Sequence, residues 1–265
     1  MMRKLWAGTV AAVVVAIAVA PAWAAQWQRS YPVTGPAVLR LDTSVGGVVI
    51  NGGSQGQVQV QVQARGWTIG PGGVRIVAHQ EGNTVTVEIH APQHTWGWAD
   101  HDLHVTVAVP RQTRLHIHTG DGDLRVTGVD GTAWLRTGDG DIVGRDLRAP
   151  DLVARTGDGN IRVSGRLAAV EAGTGDGDIH LDAEAGSRVN NAWMLRSGDG
   201  NLTVTVPEGL AADLDARTGD GSIRVNAPIA MNGTMSSNHV SGQIHGGGGL
   251  IALRSGDGTI TVRTN

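Results

Sequence analysis

The sequence predicts an all-β protein built as a parallel β-solenoid, and three observations carry that prediction. The tetrapeptide TGDG or SGDG occurs seven times between residues 119 and 258. Apolar and polar residues alternate on both sides of every copy, which is the period of a strand with one buried face. The composition includes 40 Gly, one Tyr and no Phe. The apolar positions therefore fall to Val, Ile, Leu and Ala, which suit narrow strands better than long helices.

Residues 1–24 read as a secretory signal peptide. Arg3 and Lys4 supply the basic start, Leu5 to Ala20 the apolar run, and Ala22-Trp23-Ala24 a small-residue cleavage site. The run is shorter than the roughly 20 residues that a membrane-spanning helix needs, and Pro21 ends it. Cleavage takes the 21 basic residues to 19 arginines against 24 acidic residues, and the net charge from −3 to −5. That weak acidity argues against a nucleic-acid or anionic-membrane partner. With no cysteine there is neither a disulfide nor a lipoprotein anchor. The expected localisation is periplasmic or extracellular, with no membrane span after cleavage.

Residues 25–110 form an N-terminal β region. In VLRLDTSVGGVVI, Leu39 and Leu41, Thr43, Gly46, and Val48 and Ile50 match the repeat template. Residues 39–50 are therefore the expected first coil, stacked beside residues 115–126, and residues 51–110 are an insertion. Within it QVQVQVQA (57–64), VRIVAH (74–79), TVTVEIH (84–90) and LHVTVAV (103–109) alternate strictly, with EGN turning between the middle two. This predicts antiparallel strands that cap the column and protect its open edge. QHTWGWAD (93–100) reads as an exposed aromatic loop.

Residues 111–265 are the solenoid itself. The motif aspartates Asp121, Asp139, Asp158, Asp176, Asp199, Asp220 and Asp257 stand 18, 19, 18, 23, 21 and 37 residues apart, giving coils of about 18–21 residues. The longest interval has room for two repeats, and VSGQI within it, with Ser241 in the aspartate's place, reads as a degraded copy. Positions six and four before each aspartate are apolar, two before is always Thr or Ser, and three after is Leu or Ile. Each unit is thus two short strands joined at a Gly-Asp-Gly corner. Stacking coils about 4.8 Å apart pairs every backbone group and predicts a column roughly 35 to 40 Å long.

At the corner, Gly permits φ > 0 and Asp bonds the backbone two residues on, so the motif is first of all turn chemistry. The hydroxyl row falls on the inward face, where it can bond itself and the backbone. Three residues before the aspartates stand His118, Arg136, Arg155, Gly173, Arg196, Arg217 and Arg254, an outward ladder able to neutralise the stacked carboxylates. A second acidic or amide row follows at Asp123, Asp141, Asn160, Asp178 and Asn201.

Other chemistries fit less well. The corner aspartates are calcium candidates, because GDGD is similar to the turns of calcium-binding β-rolls, but here the acidic turn comes once per coil and beside arginine. His90, His94, His101, His104, His116 and His118 lie close in sequence, yet no Cys or HExxH pattern supports a metal site. LDTS at 41–44 has the look of an aspartic-protease triplet, but repeat register explains Asp42 and Thr43. Rows of aspartate on a β-helix can hold the carboxylate pair of a glycosidase, yet every candidate is replicated in several coils, whereas an active site is a local exception. No catalytic residue and no cofactor is expected.

The run VAVPRQTRLHIHTGDGDLRVTGVDGTAWLRTGDGDIVG resembles bacterial secreted proteins grouped as adhesins under domain of unknown function 4097, similar to auto-transporter adhesin head domains. The resemblance covers roughly residues 37–264. It implies a β-solenoid in an envelope or extracellular setting and brings no catalytic residues. The chain departs from true auto-transporters, since it ends at Asn265 within a repeat and has no membrane barrel.

The expected function is a secreted or envelope structural or adhesin-like binding protein. Its candidate contacts for an envelope, glycan or protein surface are Arg136, Arg155, Arg196, Arg217 and Arg254, with Trp96 and Trp98. A calcium-stabilised β-roll module and a carbohydrate-active β-helix enzyme are the alternatives. Function is to be sought where the repeat breaks, in residues 51–110 or the longer loop at 182–192, or along the ladders as a whole surface.

Overall fold

The computed structural model describes residues 24–92, 101–230 and 236–265. Trp96, Trp98, His94 and the leader before Ala24 lie outside the described residues. Among those described there is no helix, and 23 strands form one sheet of 11 strands and one of 12. Each repeat gives one strand to each sheet, and its alternate residues point into the space between them. Leu115, Ile117, Leu135, Leu195 and Leu253 from one sheet meet Leu124, Ile142, Ile161, Leu202 and Ile260 from the other in a single narrow core. Among the described residues Trp193 is the one large aromatic side chain at full burial, and its Nε1 donates to the Ala168 carbonyl at 3.2 Å.

Residues 39–50 stack beside residues 115–126 in parallel register. Leu39 faces Leu115, Leu41 faces Ile117, Thr43 faces Thr119, and Val48 and Ile50 face Leu124 and Val126. The strands of 51–110 depart from a purely antiparallel cap. Thr84–His90 and Asp102–Val109 pair in parallel with the two strands of the first coil, and so make a further coil outside it. Only the strands beyond run antiparallel: Arg75–Glu81 on Thr84–His90, Gln57–Arg65 on Asp102–Val109, and Ala24–Pro32 on Gln57–Arg65.

The other end holds a second departure. In space the nine parallel coils run 84–109, 37–52, 113–127, 133–149, 152–167, 170–183, 192–206, 249–264 and 212–226. The last coil of the chain is therefore inserted between 192–206 and 212–226. VSGQI is not a degraded corner: His239–Ile244 is one strand that runs antiparallel beside Ala212–Thr218, with Val240 opposite Ala216 and Ile244 opposite Ala212. Antiparallel strands thus cover both ends of the 12-stranded sheet, a device that blunts edge-to-edge association. Twelve strands spaced about 4.8 Å apart span about 53 Å, more than the repeat count predicts, because the insertion extends the sheets.

Candidate functional site

The corner edge begins with the hydroxyl row, which bonds the backbone of the preceding coil in the stack rather than another hydroxyl. Thr137 Oγ1 donates to the Gly122 carbonyl, Thr156 to Gly140 and Thr174 to Gly159, each at 2.8 Å. Ser197 does the same to Gly177 at 2.9 Å. The hydroxyls also close the turn in their own coil, as the Gly200 amide donates to Ser197 Oγ at 2.9 Å and that of Gly258 to Ser255 Oγ at 3.0 Å.

The glycines serve close approach, not positive φ. Of the paired corner glycines only Gly122 has positive φ, at 157°, on the border of extended backbone. A Cβ on Gly140, Gly159, Gly177, Gly200 or Gly258 would fall well under 3.0 Å from the carbonyl oxygen of the equivalent glycine one coil away. The expected Asx-turn is also replaced. It is the second row whose side chains bond the backbone: Asp123 Oδ1 accepts the Asp141 amide at 3.0 Å, Asp141 Oδ1 the Asn160 amide at 2.8 Å, Asn160 Oδ1 the Asp178 amide at 3.0 Å, and Asp178 Oδ1 the Asn201 amide at 2.8 Å. Asn160 and Asn201 each add an Nδ2 donor to the preceding aspartate, so alternating amide and carboxylate turns repulsion into hydrogen bonding.

That leaves the outer row unused by the fold. Asp121, Asp139, Asp158, Asp176, Asp199, Asp220 and Asp257 are all exposed, and none is in an ion pair with a described residue. The arginine ladder does not neutralise them. Arg155 pairs with Glu171, Arg217 and Arg254 both pair with Asp215, and Arg136 and Arg196 have no ion pair among the described residues. The structure does bring the ladder together in register as Glu88, Asp42, His118, Arg136, Arg155, Gly173, Arg196, Arg254 and Arg217, running from acidic to basic along one face. Where Gly173 interrupts it, a groove of about 520 Å³ opens between Arg136, Arg155 and Arg196, with Asp139 on its rim.

Asp215 is the most heavily engaged carboxylate. Burial pushes its pKa up, but the hydrogen bond and charge of Arg254, the charge of Arg217 and a bond to His239 outweigh it and hold the carboxyl below its ordinary value. Among the described residues no three His, Asp or Glu side chains converge as a metal cage requires, the corner aspartates included. The histidines are dispersed: His90 lies near Glu88, His104 pairs with Asp102 at 2.8 Å, His101 stacks on Trp67, and His116 lies against Trp134. Sequence reasoning passed over a second set of arginines at the opposite corner, Arg148, Arg166 and Arg188. The signal for the first two was that each stands ten residues before the next motif aspartate, Arg148 before Asp158 and Arg166 before Asp176.

No curated protein matches the chain. Among solved structures it is similar to a "putative adhesin" of Bacteroides fragilis, at 16% identity and TM-score 0.51 over 91% of this chain and 97% of that one. A "putative cell adhesion protein" of Clostridium sporogenes gives 15% identity and TM-score 0.43 over 91% and 100%. A "putative lipid binding protein" of Parabacteroides distasonis gives 12% identity and TM-score 0.45 over 90% and 96%. The Bacteroides likeness supports the same two-sheet column. Residues 39–263, nearly the whole described solenoid, match the Toastrack DUF4097 family model, and the chain belongs to that family.

Proposed function

We propose that the chain is an exported, adhesin-like binding scaffold without catalytic activity, which presents its corner edge to a glycan, envelope or protein surface in the periplasm or outside the cell. The observation that carries this reading is the division of labour at the corner. The hydroxyl row and the Asp/Asn row supply the bonds between coils, while seven outer carboxylates, with Arg136 and Arg196, stay free at the surface. Charge repeated in seven of the nine coils and unused by the fold suits a partner with its own repeat. Residues 1–24 read as a signal peptide, and the adhesin names of structural neighbours agree with that compartment. Neither a nucleic-acid partner nor a membrane span belongs to this reading.

The test uses the full mature chain, fluorescently labelled, on a defined glycan array and on isolated envelope fragments at low and high salt. Saturable retention that falls with salt is expected. A variant carrying Asp139→Asn, Asp158→Asn, Asp176→Asn, Arg136→Gln and Arg196→Gln should melt like wild type and lose retention. Equal retention by that variant overturns the assignment of the corner edge. N-terminal sequencing of the product from a periplasmic or culture fraction should begin at Ala25, and an uncleaved cytoplasmic product overturns export.

A further inference from the structure

The loop between Ala183 and Ala192 is the longest break in the repeat after residue 111 that lies wholly within the described chain, and it is held to the column like a strand. The Glu184 amide donates to the Gly165 carbonyl, that of Arg188 to Leu167, and that of Asn190 to Ala168. Ser187 Oγ accepts the Leu167 amide at 3.0 Å from a buried position. The loop thereby sets Arg188 over a pair already in register, Arg148 opposite Arg166. The three line a groove of about 300 Å³ together with the exposed Pro150, the buried Ala149 and Leu167, and Asn190.

Two features make this a built site rather than three surface arginines. Arg166 is fixed by the loop: its Nε donates to the Ala185 carbonyl at 3.3 Å, and a Cβ on Gly186, whose φ is +88°, would meet that Nε at 2.9 Å. Its guanidinium is held while its terminal nitrogens stay uncommitted. In addition, no carboxylate lines the groove, and none of the three arginines is in an ion pair with a described residue. The corner groove at Gly173 differs in both respects, since Asp139 lines it and Arg155 is taken by Glu171.

Three guanidiniums around an exposed proline match one ligand chemistry. Guanidinium forks bind an oxyanion bidentately, the exposed ring of Pro150 offers an apolar face to a pyranose ring, and Asn190 supplies both a donor and an acceptor for hydroxyls. We infer that the groove formed by Arg148, Arg166 and Arg188 binds the carboxylate or sulfate of an acidic saccharide. This rests on the binding-scaffold reading and gives it a discrete subsite away from the corner edge.

Calorimetric titration of the full mature chain with trigalacturonate, a sulfated disaccharide, a neutral trisaccharide and inorganic phosphate tests it. Binding of at least one acidic saccharide is expected, with the first two arms telling carboxylate from sulfate, and no binding of the neutral sugar. Arg148→Gln combined with Arg188→Gln should weaken that binding by about tenfold or more, because charged hydrogen bonds are lost. Arg166→Lys, which keeps the charge and loses the fork, should weaken it by a smaller factor. In the unaltered chain, the arginine Nε–H resonances of these three residues should shift on titration, a readout that needs no variant. Equal binding of the neutral sugar, phosphate binding as tight as the saccharide, unchanged affinity in the double variant, or shifts confined to other arginines each overturn the inference. If no acidic saccharide binds while envelope fragments still retain the protein, this subsite falls and the broader reading stands. Loss of both fells the broader reading.

Discussion

Ser255 donates its hydroxyl to the carbonyl of Gly200, 55 residues earlier in the chain, at 2.8 Å. Thr218, which follows Gly200 far sooner, bonds Gly258 instead, also at 2.8 Å. The C-terminal coil is thus an internal layer, with partners on both sides in both sheets. A chain ending at residue 248 lacks that layer, and coil 212–226 loses the neighbour it packs on. In a stacked array each unit is stabilised chiefly by its neighbours, so the truncated chain should lose protection over 212–244 while 113–206 keeps its strands. Limited proteolysis read by mass spectrometry checks this, and wild-type protection of 212–226 counts against it. Leu253→Ala, a cavity in the same layer, should cost about 2–5 kcal/mol in denaturant unfolding.

Glycines of identical appearance should differ sharply. At Gly159 an added methyl meets the Gly140 carbonyl, which is backbone and has no rotamer to yield, whereas at Gly173 it meets nothing within 4 Å. Gly159→Ala should therefore destabilise by about 1–3 kcal/mol through overpacking. Gly173→Ala should be neutral or stabilise by up to about 1 kcal/mol through the unfolded chain's lost freedom. Parallel urea melts decide it, and equal effects at both positions would contradict the close-approach account.

The contrast marks how far the sequence could be read. Its period of two located the buried faces and placed Leu39 beside Leu115, because parity alone dictates which side chains point inward. Parity has no direction, however. Val240 and Ile244 alternate equally well in a parallel copy and in the antiparallel strand they form, and the same holds for Val85, Val87 and Ile89, which run parallel to the first coil. Nor does a repeated corner say which copy it stacks on, so the insertion of 249–264 had no signature of its own. At the corner the residue types were visible, but the sequence does not separate an aspartate that bonds the next coil, as Asp141 does, from one that bonds nothing in the fold, as Asp158 does.

Those two aspartates give the third prediction. Asp141 accepts both the backbone and the side-chain N–H of Asn160, at 2.8 and 3.0 Å, so Asp141→Ala strands two donors and should cost about 1–3 kcal/mol. Asp158→Asn removes one charge from an exposed row of like charges and should stay within about 0.5 kcal/mol of wild type. Thermal melts of both variants check the pair. Adding millimolar calcium to the wild type should leave its midpoint unchanged, because an ion bound to the folded state alone would raise it.

A single carboxylate ties the inserted layer to coil 212–226 and ties that coil to the antiparallel strand beyond it. Asp215 lies in coil 212–226, and it pairs with Arg254 of the inserted coil, with Arg217 of its own strand at 3.2 Å and with His239 of the antiparallel strand at 3.1 Å. Its folded pKa is depressed, because the hydrogen bond and charge of Arg254, the charge of Arg217 and the hydrogen bond to His239 outweigh the burial that opposes ionisation. A depressed carboxylate contributes stability in full above its unfolded value near pH 4 and loses it as pH falls through the lower folded value. Asp215→Asn should therefore lower stability by about 1–3 kcal/mol at pH 7, since Arg254 and Arg217 lose a half-buried anionic partner and the hydrogen bond to His239 loses its charged member. The gap from wild type should narrow as pH falls below about 4, where the unfolded chain's carboxyl is protonated first and the native one follows at its lower value. Urea unfolding of both proteins at pH 7 and pH 3 measures the two gaps. A gap that stays constant between them would mean that shape and not charge holds Asp215 in place, and the electrostatic tie to Arg254 would have to be given up.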